Sequence, residues 1–280
     1  MYGAQAKITN PRADMSAPSN RFNLIYFISL ILAPLFRWSQ KIPALLLTGI
    51  PSCCALCGHV GRHAICSACD QAYLSHERTR CQQCANPLLA IANDAALTCG
   101  DCLKQRRAFD ASIVAIDYAA PVDQLVLSLK FGSQLALAPI FARKLRDAVL
   151  RNPIITNNLP DIVTAVPLGP GRLTERGFNQ ALEIAKPLSR LLNIPLQPTL
   201  IKRQHDTLQQ AKLSPQERRQ NLRKAFIVPP QALTQIHGRH IGIVDDVMTT
   251  GETLNELART LKRCGAARVT NFVFARTLPK

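Results

Sequence analysis

Hydrophobic and polar positions follow two different rules along this chain, and the change comes near residue 108. After it, short β-branched runs alternate with segments whose apolar residues recur at helical spacing. Residues 112–118 (Ser-Ile-Val-Ala-Ile-Asp-Tyr) read as a strand. Residues 121–131 and 139–150 carry apolar side chains three and four apart and predict helices. An apolar strand at 161–166 stops at Pro167 and is followed by a Gly/Pro turn at 168–171. An amphipathic helix is predicted over 179–192, then a short strand over 194–201, flanked by prolines. The last third predicts a strand at 240–244, a loop, a helix at 253–264 and a strand at 268–275. Strands alternating with helices point to an α/β fold, a parallel sheet covered by helices on both faces. Ligands of such sheets sit at the carboxyl ends of the strands.

Before residue 108 neither period is sustained. Residues 22–36 are mostly apolar but are interrupted by Asn23, Ser29 and Pro34. That run is shorter than the roughly 20 residues a bilayer-spanning helix needs, so the expectation is an apolar helix without a stable membrane span. Residues 1–20 are polar and are expected to be disordered. The predicted organisation is an N-terminal extension over 1–45, a cysteine module over 46–107 and an α/β domain over 108–280.

Composition sharpens this picture. Hydrophobic residues make up 47% of the 280, enough for a packed core, which excludes general disorder. The formal charge of +16 favours anionic partners, either phosphorylated small molecules or nucleic acid. Part of that surplus lies in residues 202–226, where seven Lys/Arg outnumber Asp206 and Glu217. This stretch suits a lid, a nucleic-acid surface or a merely solvated face.

Eight of the ten cysteines form Cys-x-x-Cys pairs: Cys54/Cys57, Cys66/Cys69, Cys81/Cys84 and Cys99/Cys102. Two intervening residues let both thiolates reach one tetrahedral ion, so the pattern predicts two structural Zn²⁺ sites and a reducing, cytoplasmic setting. Successive ribbons and an alternating cross-brace both satisfy the spacing. Cys53 and Cys264 are left over, and His59 and His63 are near enough to stand in for a ligand.

The most informative stretch is Ile241-Gly-Ile-Val-Asp-Asp-Val-Met-Thr-Thr-Gly-Glu-Thr253. A buried strand, two carboxylates, hydroxyls and a glycine lead into a helix. Free N–H groups at a helix start bind phosphate, and Gly251 permits close backbone approach. Thr249, Thr250 and Thr253 add hydroxyl donors, while Asp245 and Asp246 can accept from vicinal sugar hydroxyls. A sugar 5-phosphate with free 2′ and 3′ hydroxyls fits both ends. No Gly-x-x-x-x-Gly-Lys-Ser/Thr motif occurs, and the 169–171 turn is too short for a dinucleotide fingerprint.

This stretch resembles the phosphoribosyl-pyrophosphate loop of type I phosphoribosyltransferases. More narrowly, Val166-Pro-Leu, Arg172 and Arg176-Gly-Phe-Asn-Gln180 resemble the ComF/GntX family of competence and DNA-utilisation proteins. So do Leu129-Lys-Phe131 and the series Thr207, Gln210, Leu213, Arg218, Asn221, Ala225-Phe226, and the cysteine pairs belong to the same likeness. The resemblance implies a type I phosphoribosyltransferase fold that binds 5-phosphoribosyl 1-pyrophosphate with Mg²⁺ on the pyrophosphate. It implies ribose-holding roles for Asp245 and Asp246 and pyrophosphate contacts for Arg172 and Arg176, with Lys130 a weaker candidate. Phosphoribosyl transfer, linked to DNA uptake or to the use of DNA-derived nucleotides, is the implied activity. The alternative is a non-catalytic protein that binds single-stranded DNA or a competence helicase and keeps the pocket as sensor or relic. No acceptor is named by the residues. Glu252 stands where small residues are common, and an inward turn of its side chain would oppose an anion.

Overall fold

The computed structural model describes residues 52–75, 77–88, 97–204 and 225–278. These belong to one compact unit beginning at Ser52. The expected N-terminal extension and positions 205–224 of the basic stretch lie outside the described residues.

The cysteine region is built from knuckles rather than from a core. A two-stranded antiparallel ribbon, β1 (Ser52–Cys53) and β2 (Val60–Gly61), frames the first pair. Helix α1 (Ser67–Tyr73) starts at the second, and helix α2 (Gly100–Lys104) follows Cys99.

The α/β part continues with β3 (Ala111–Tyr118), α3 (Val122–Phe131), α4 (Ala138–Leu150) and β4 (Ile162–Ala165). Helices α5 (Pro170–Arg176) and α6 (Gln180–Leu192) follow, then a small antiparallel ribbon of β5 (Lys202–Arg203) and β6 (Phe226–Ile227). The chain closes with β7 (His240–Met248), α7 (Glu252–Arg263) and β8 (Arg268–Thr277). Strands β3, β8, β7 and β4 lie side by side in that order, and all pair in parallel. The two central strands are buried on both faces along most of their length, as interior parallel strands are. At Gly242 a side chain would collide with Val163 and Phe272, so the close approach of β7 to its neighbours depends on that glycine.

The crossover from β3 to β4 runs one way across the sheet, and that from β7 to β8 runs back. Right-handed crossovers therefore place α4 and α7 on opposite faces. Helix α4 packs on α6 over one face, where Phe141 stacks 3.6 Å from Phe274.

Three expectations change. The strand predicted over 240–244 runs on to Met248, because β8 supplies ladder partners as far as Arg276: Val247 pairs with Ala275 and Met248 with Arg276. Both aspartates therefore sit on a strand. The 194–201 segment forms only an isolated bridge, Leu196 beside Val163, since Pro195 and Pro198 have no N–H to donate. The Gly/Pro turn after β4 opens into α5, with Pro170 in the first turn, where its missing N–H costs nothing. Among the described residues no helix is long and apolar enough to cross a membrane.

Candidate functional site

At the carboxyl ends of β4 and β7 lies a cavity of about 250 Å³. Asp245, Asp246, Thr249 and Thr253 line it on one side, and Arg172, Arg176 and Lys130 on another. The structure thus brings most of the sequence-predicted residues together. Thr250 is exposed, and neither it nor Gly251 is among the lining residues. Gly251 acts through its backbone instead. Its φ of 78° is left-handed, and a side chain there would run into the Met248 methyl group.

Asp245 and Asp246 are tied down by the backbone. The Asp246 N–H donates to Asp245 Oδ1 at 2.9 Å, and the Val247 N–H to Asp246 Oδ1 at 2.7 Å. Lys130 Nζ lies 2.9 Å from Asp246 Oδ2. Burial and the neighbouring Asp246 charge push the Asp245 carboxyl well above its ordinary range, and Lys130 opposes that rise. The pair is therefore an unequal one: Asp246 has the ammonium beside it, and Asp245 is the carboxyl that is raised.

Arg172 and Arg176 are one turn apart on α5 and reach the same cavity. The Arg176 guanidinium lies over the exposed Phe131 ring, 5.0 Å from its centroid. Its Nη1 donates to Gln180 Oε1 at 3.0 Å. Arginine can only donate, so this bond turns the Gln180 Nε2 away, and that buried amine has no hydrogen-bond partner among the described residues. Asn179 caps α6 by accepting from the Leu182 N–H and donates to the Val166 carbonyl at 3.0 Å, which pins the helix start to the end of β4.

Asn179 and Gln180 belong to a motif of the resemblance and Arg203 to the basic stretch, but the sequence pattern assigns none of the three a role in the site. Arg203 lies within the basic stretch, and the β5/β6 ribbon swings it into the cavity with its guanidinium 5.4 Å from the Phe226 ring. Glu252 does not line the cavity and is paired with Arg107 Nη1 at 2.9 Å. A small cavity lined by two carboxylates, two threonine hydroxyls and several cations, one of them on Asp246, offers partners for both the hydroxyls and the phosphates of a ligand. A larger hollow of about 570 Å³ runs along the β3 edge, but it carries none of the acid or α5 residues. Its arginines are paired internally, Arg78 and Arg80 with Asp117 and Arg151 with Glu77.

The eight paired cysteines form two groups, Cys54/Cys57/Cys66/Cys69 and Cys81/Cys84/Cys99/Cys102. The arrangement is sequential rather than cross-braced. All Sγ atoms within a group lie within 4.8 Å of one another. Cys57 and Cys66 sulfurs are 3.7 Å apart and those of Cys84 and Cys99 are 3.5 Å apart. A tetrahedron with Zn–S bonds of about 2.3 Å has edges of about 3.8 Å, so each group can hold a zinc ion. Backbone N–H groups of Cys66 and Cys99 point at the sulfurs of Cys54 and Cys81, as thiolates require. The hydrogen bond from the Cys84 thiol pulls Cys81 down to about 4 and raises its own donor in turn. Neither His59 nor His63 joins either group, and Cys53 and Cys264 stand apart.

The family model of the phosphoribosyl transferase domain matches residues 179–278. The DNA utilization protein YhgH of Escherichia coli O157:H7 is 37% identical over 233 residues, covering 82% of this chain and 99% of that protein. Competence protein F of Haemophilus influenzae is 33% identical over 222 residues, covering 78% of this chain and 93% of that protein. Among solved structures, a purine phosphoribosyltransferase from Pyrococcus horikoshii overlaps 49% of this chain and 82% of its own at 15% identity. Its TM-score of 0.29 is too low for any conclusion to rest on it.

Proposed function

Because the chain belongs to the family of the DNA utilization protein YhgH and competence protein F and carries a phosphoribosyl transferase domain, we propose that its cavity binds 5-phosphoribosyl 1-pyrophosphate or a closely related ribose 5-phosphate. The observation that carries this reading is the convergence of Asp245 and Asp246 with Lys130, Arg172, Arg176 and Arg203 on one small cavity beside the start of α7. Asp245 and Asp246 accept hydrogen bonds from the 2′ and 3′ hydroxyls. Thr249, Thr253 and the backbone opened by Gly251 receive the 5-phosphate, where N–H groups and the helix dipole favour an anion. Arg172, Arg176 and Arg203 hold the pyrophosphate, for which planar guanidinium groups are suited.

In a transfer reaction the bond between C1 of the ribose and the pyrophosphate oxygen breaks, and the electron pair leaves with pyrophosphate. An acceptor nucleophile then bonds to C1. The hard carboxylate oxygens of Asp245 and Asp246 suit Mg²⁺, which would supply charge neutralisation of the leaving group when bound. The chain's own residues contribute orientation and fixed charge, which stabilise an electron-poor ribose without a covalent nucleophile. The cysteine groups hold two structural Zn²⁺ ions: with four protein ligands each is closed and has no open position for chemistry. In this reading residues 46–107 are a zinc module and 108–280 the transferase domain. The protein acts in the cytoplasm on material linked to DNA uptake or DNA-derived nucleotides.

The test is calorimetric titration of the zinc-loaded full chain with phosphoribosyl pyrophosphate and Mg²⁺, followed by a screen of acceptors for pyrophosphate release. Binding with release establishes a transferase. Binding without release favours a sensor of the same ligand, and no binding removes the ribose-phosphate reading.

A further inference from the structure

We propose that Arg276 is a positioning residue that ties the phosphate loop to the second cysteine group, so that metal bound there sets the affinity of the cavity. The proposal rests on the ribose-phosphate reading for the identity of the ligand and on geometry alone for the tether.

Arg276 is only 5% exposed and lies near the end of β8. Its Nη1 donates to the Thr249 carbonyl at 2.9 Å. Its Nε and Nη2 both donate to Asn86 Oδ1, the former at 2.8 Å. Asn86 is part of the metal knuckle, because its carbonyl accepts from the N–H of Cys81 at 2.8 Å. One side chain therefore connects a turn that presents metal ligands to the first residue of the phosphate loop.

The far side of the loop is held by the same module. Arg107, just past α2 and Cys102, pairs with Glu252 at 2.9 Å. The N–H of Ala108 donates to Asn255 Oδ1 at 2.7 Å, one turn into α7. The second cysteine group thus grips both ends of the 249–252 turn. The first cysteine group makes a different attachment, through Asp70 to Lys144 on α4.

Charge gives the tether its reason. Arg276 is a buried cation whose bonds to Asn86 and Thr249 go to neutral oxygens, so it depends on nearby negative charge. Burial, Arg107 and Arg80 disfavour its guanidinium, whereas the sulfurs of Cys84 and Cys99 oppose that penalty. Four thiolates around a Zn²⁺ would carry a net charge of −2. Loss of the metal alters both the charge that Arg276 faces and the knuckle that holds Asn86. Because coupling between two sites is reciprocal, the ligand must in turn stabilise that metal.

Amide hydrogen exchange in the zinc-loaded full chain tests the tether without ligand. Asn86→Ala, at a half-buried position, and Arg276→Lys should raise exchange at residues 248–253 about tenfold while β3 amides stay protected. Unchanged exchange there overturns the proposal. Should the variants lose protection throughout, the wild type decides. Saturating phosphoribosyl pyrophosphate with Mg²⁺ should slow chelator-driven loss of one of its two zinc ions several-fold and leave the other unaffected. Slowing of both or of neither by a ligand shown to bind overturns the coupling. Absence of binding in calorimetry removes the ribose-phosphate reading and with it the coupling to that ligand, while the tether still stands or falls on the exchange result.

Discussion

The ammonium of Lys130 sits 2.9 Å from Oδ2 of Asp246, joining the last turn of α3 to the end of β7. Two adjacent carboxylates at the mouth of a sheet repel each other, and this contact sets a cation beside one of them. The other, Asp245, is the group whose carboxyl is raised. Lys130→Met removes the charge that opposes the rise, so Asp245 should climb further. Ligand affinity that needs an ionised Asp245 falls as pH drops through its raised pKa, and in the variant that fall should begin at a higher pH. Calorimetry as a function of pH gives the comparison; two superimposable profiles would refute the unequal pair.

Removing both carboxylate charges is the direct test of ribose binding. Asp245→Asn with Asp246→Asn keeps an acceptor oxygen at each position but loses charge. Binding of phosphoribosyl pyrophosphate should weaken by about 2–4 kcal/mol, since charge-assisted hydrogen bonds are worth roughly 1.5–3 each and the two are not additive. Zinc content should stay unchanged. Wild-type affinity in the double variant means that these aspartates do not hold the sugar.

Gln180 separates binding from stability. Among the described residues its Nε2 is buried without a partner, a desolvation cost of about 1–3 kcal/mol in the free protein. Gln180→Met removes that cost but also the oxygen that accepts from Arg176, so thermal stability should change little, while ligand affinity falls because the ligand loses a donor and Arg176 its anchor. A variant that melts earlier yet binds normally would make Gln180 a structural residue and nothing more.

The cysteine groups predict two zinc ions per chain. A structural zinc contributes on the order of 10 kcal/mol to folding, so chelation should unfold the cysteine module. The second group is also bonded to β3, the Ser112 N–H donating to the Gln82 carbonyl at 3.0 Å. Its loss should therefore disturb the β3 edge as well. Metal analysis that returns fewer than about one zinc per chain excludes two sites.

His240 sets a pH limit on stability. Burial, helped by Arg268, lowers its pKa to about 4 from an ordinary 6.5, and its Nε2 lies 2.8 Å from the Thr270 hydroxyl. The unfolded chain takes up a proton below about 6.5 while the folded one does not, so this contribution is present above that pH. It is lost as pH falls toward about 4, and it amounts to on the order of 2–3 kcal/mol. Urea unfolding should show a smaller drop from neutral pH to about pH 5 for His240→Gln than for the wild type. Equal drops would place the acid sensitivity elsewhere.

Much of this molecule is set by residues close together in the chain. Helical and strand periods place most elements of the α/β part within a few positions of where they form, because amphipathic patterning is a local property. The Cys-x-x-Cys pairs announce metal knuckles for the same reason: both ligands of a pair come from one turn. Asp245, Asp246 and Gly251 are legible because a strand, an acid pair and a helix start are contiguous. What the sequence alone leaves open is every relation across crossovers. Sequential and cross-braced zinc groups use identical spacings, and only the packing of the knuckles distinguishes them. The length of β7 depends on ladder partners supplied by β8. Gln180 and Arg203 enter one cavity from α6 and a separate ribbon, and Lys130, named only through the resemblance, from α3, so no spacing joins them. The bond from Arg276 to Asn86 joins positions 190 residues apart. Local patterning determines which elements form, whereas the site's partners are chosen by the order and handedness of the sheet that brings their ends together.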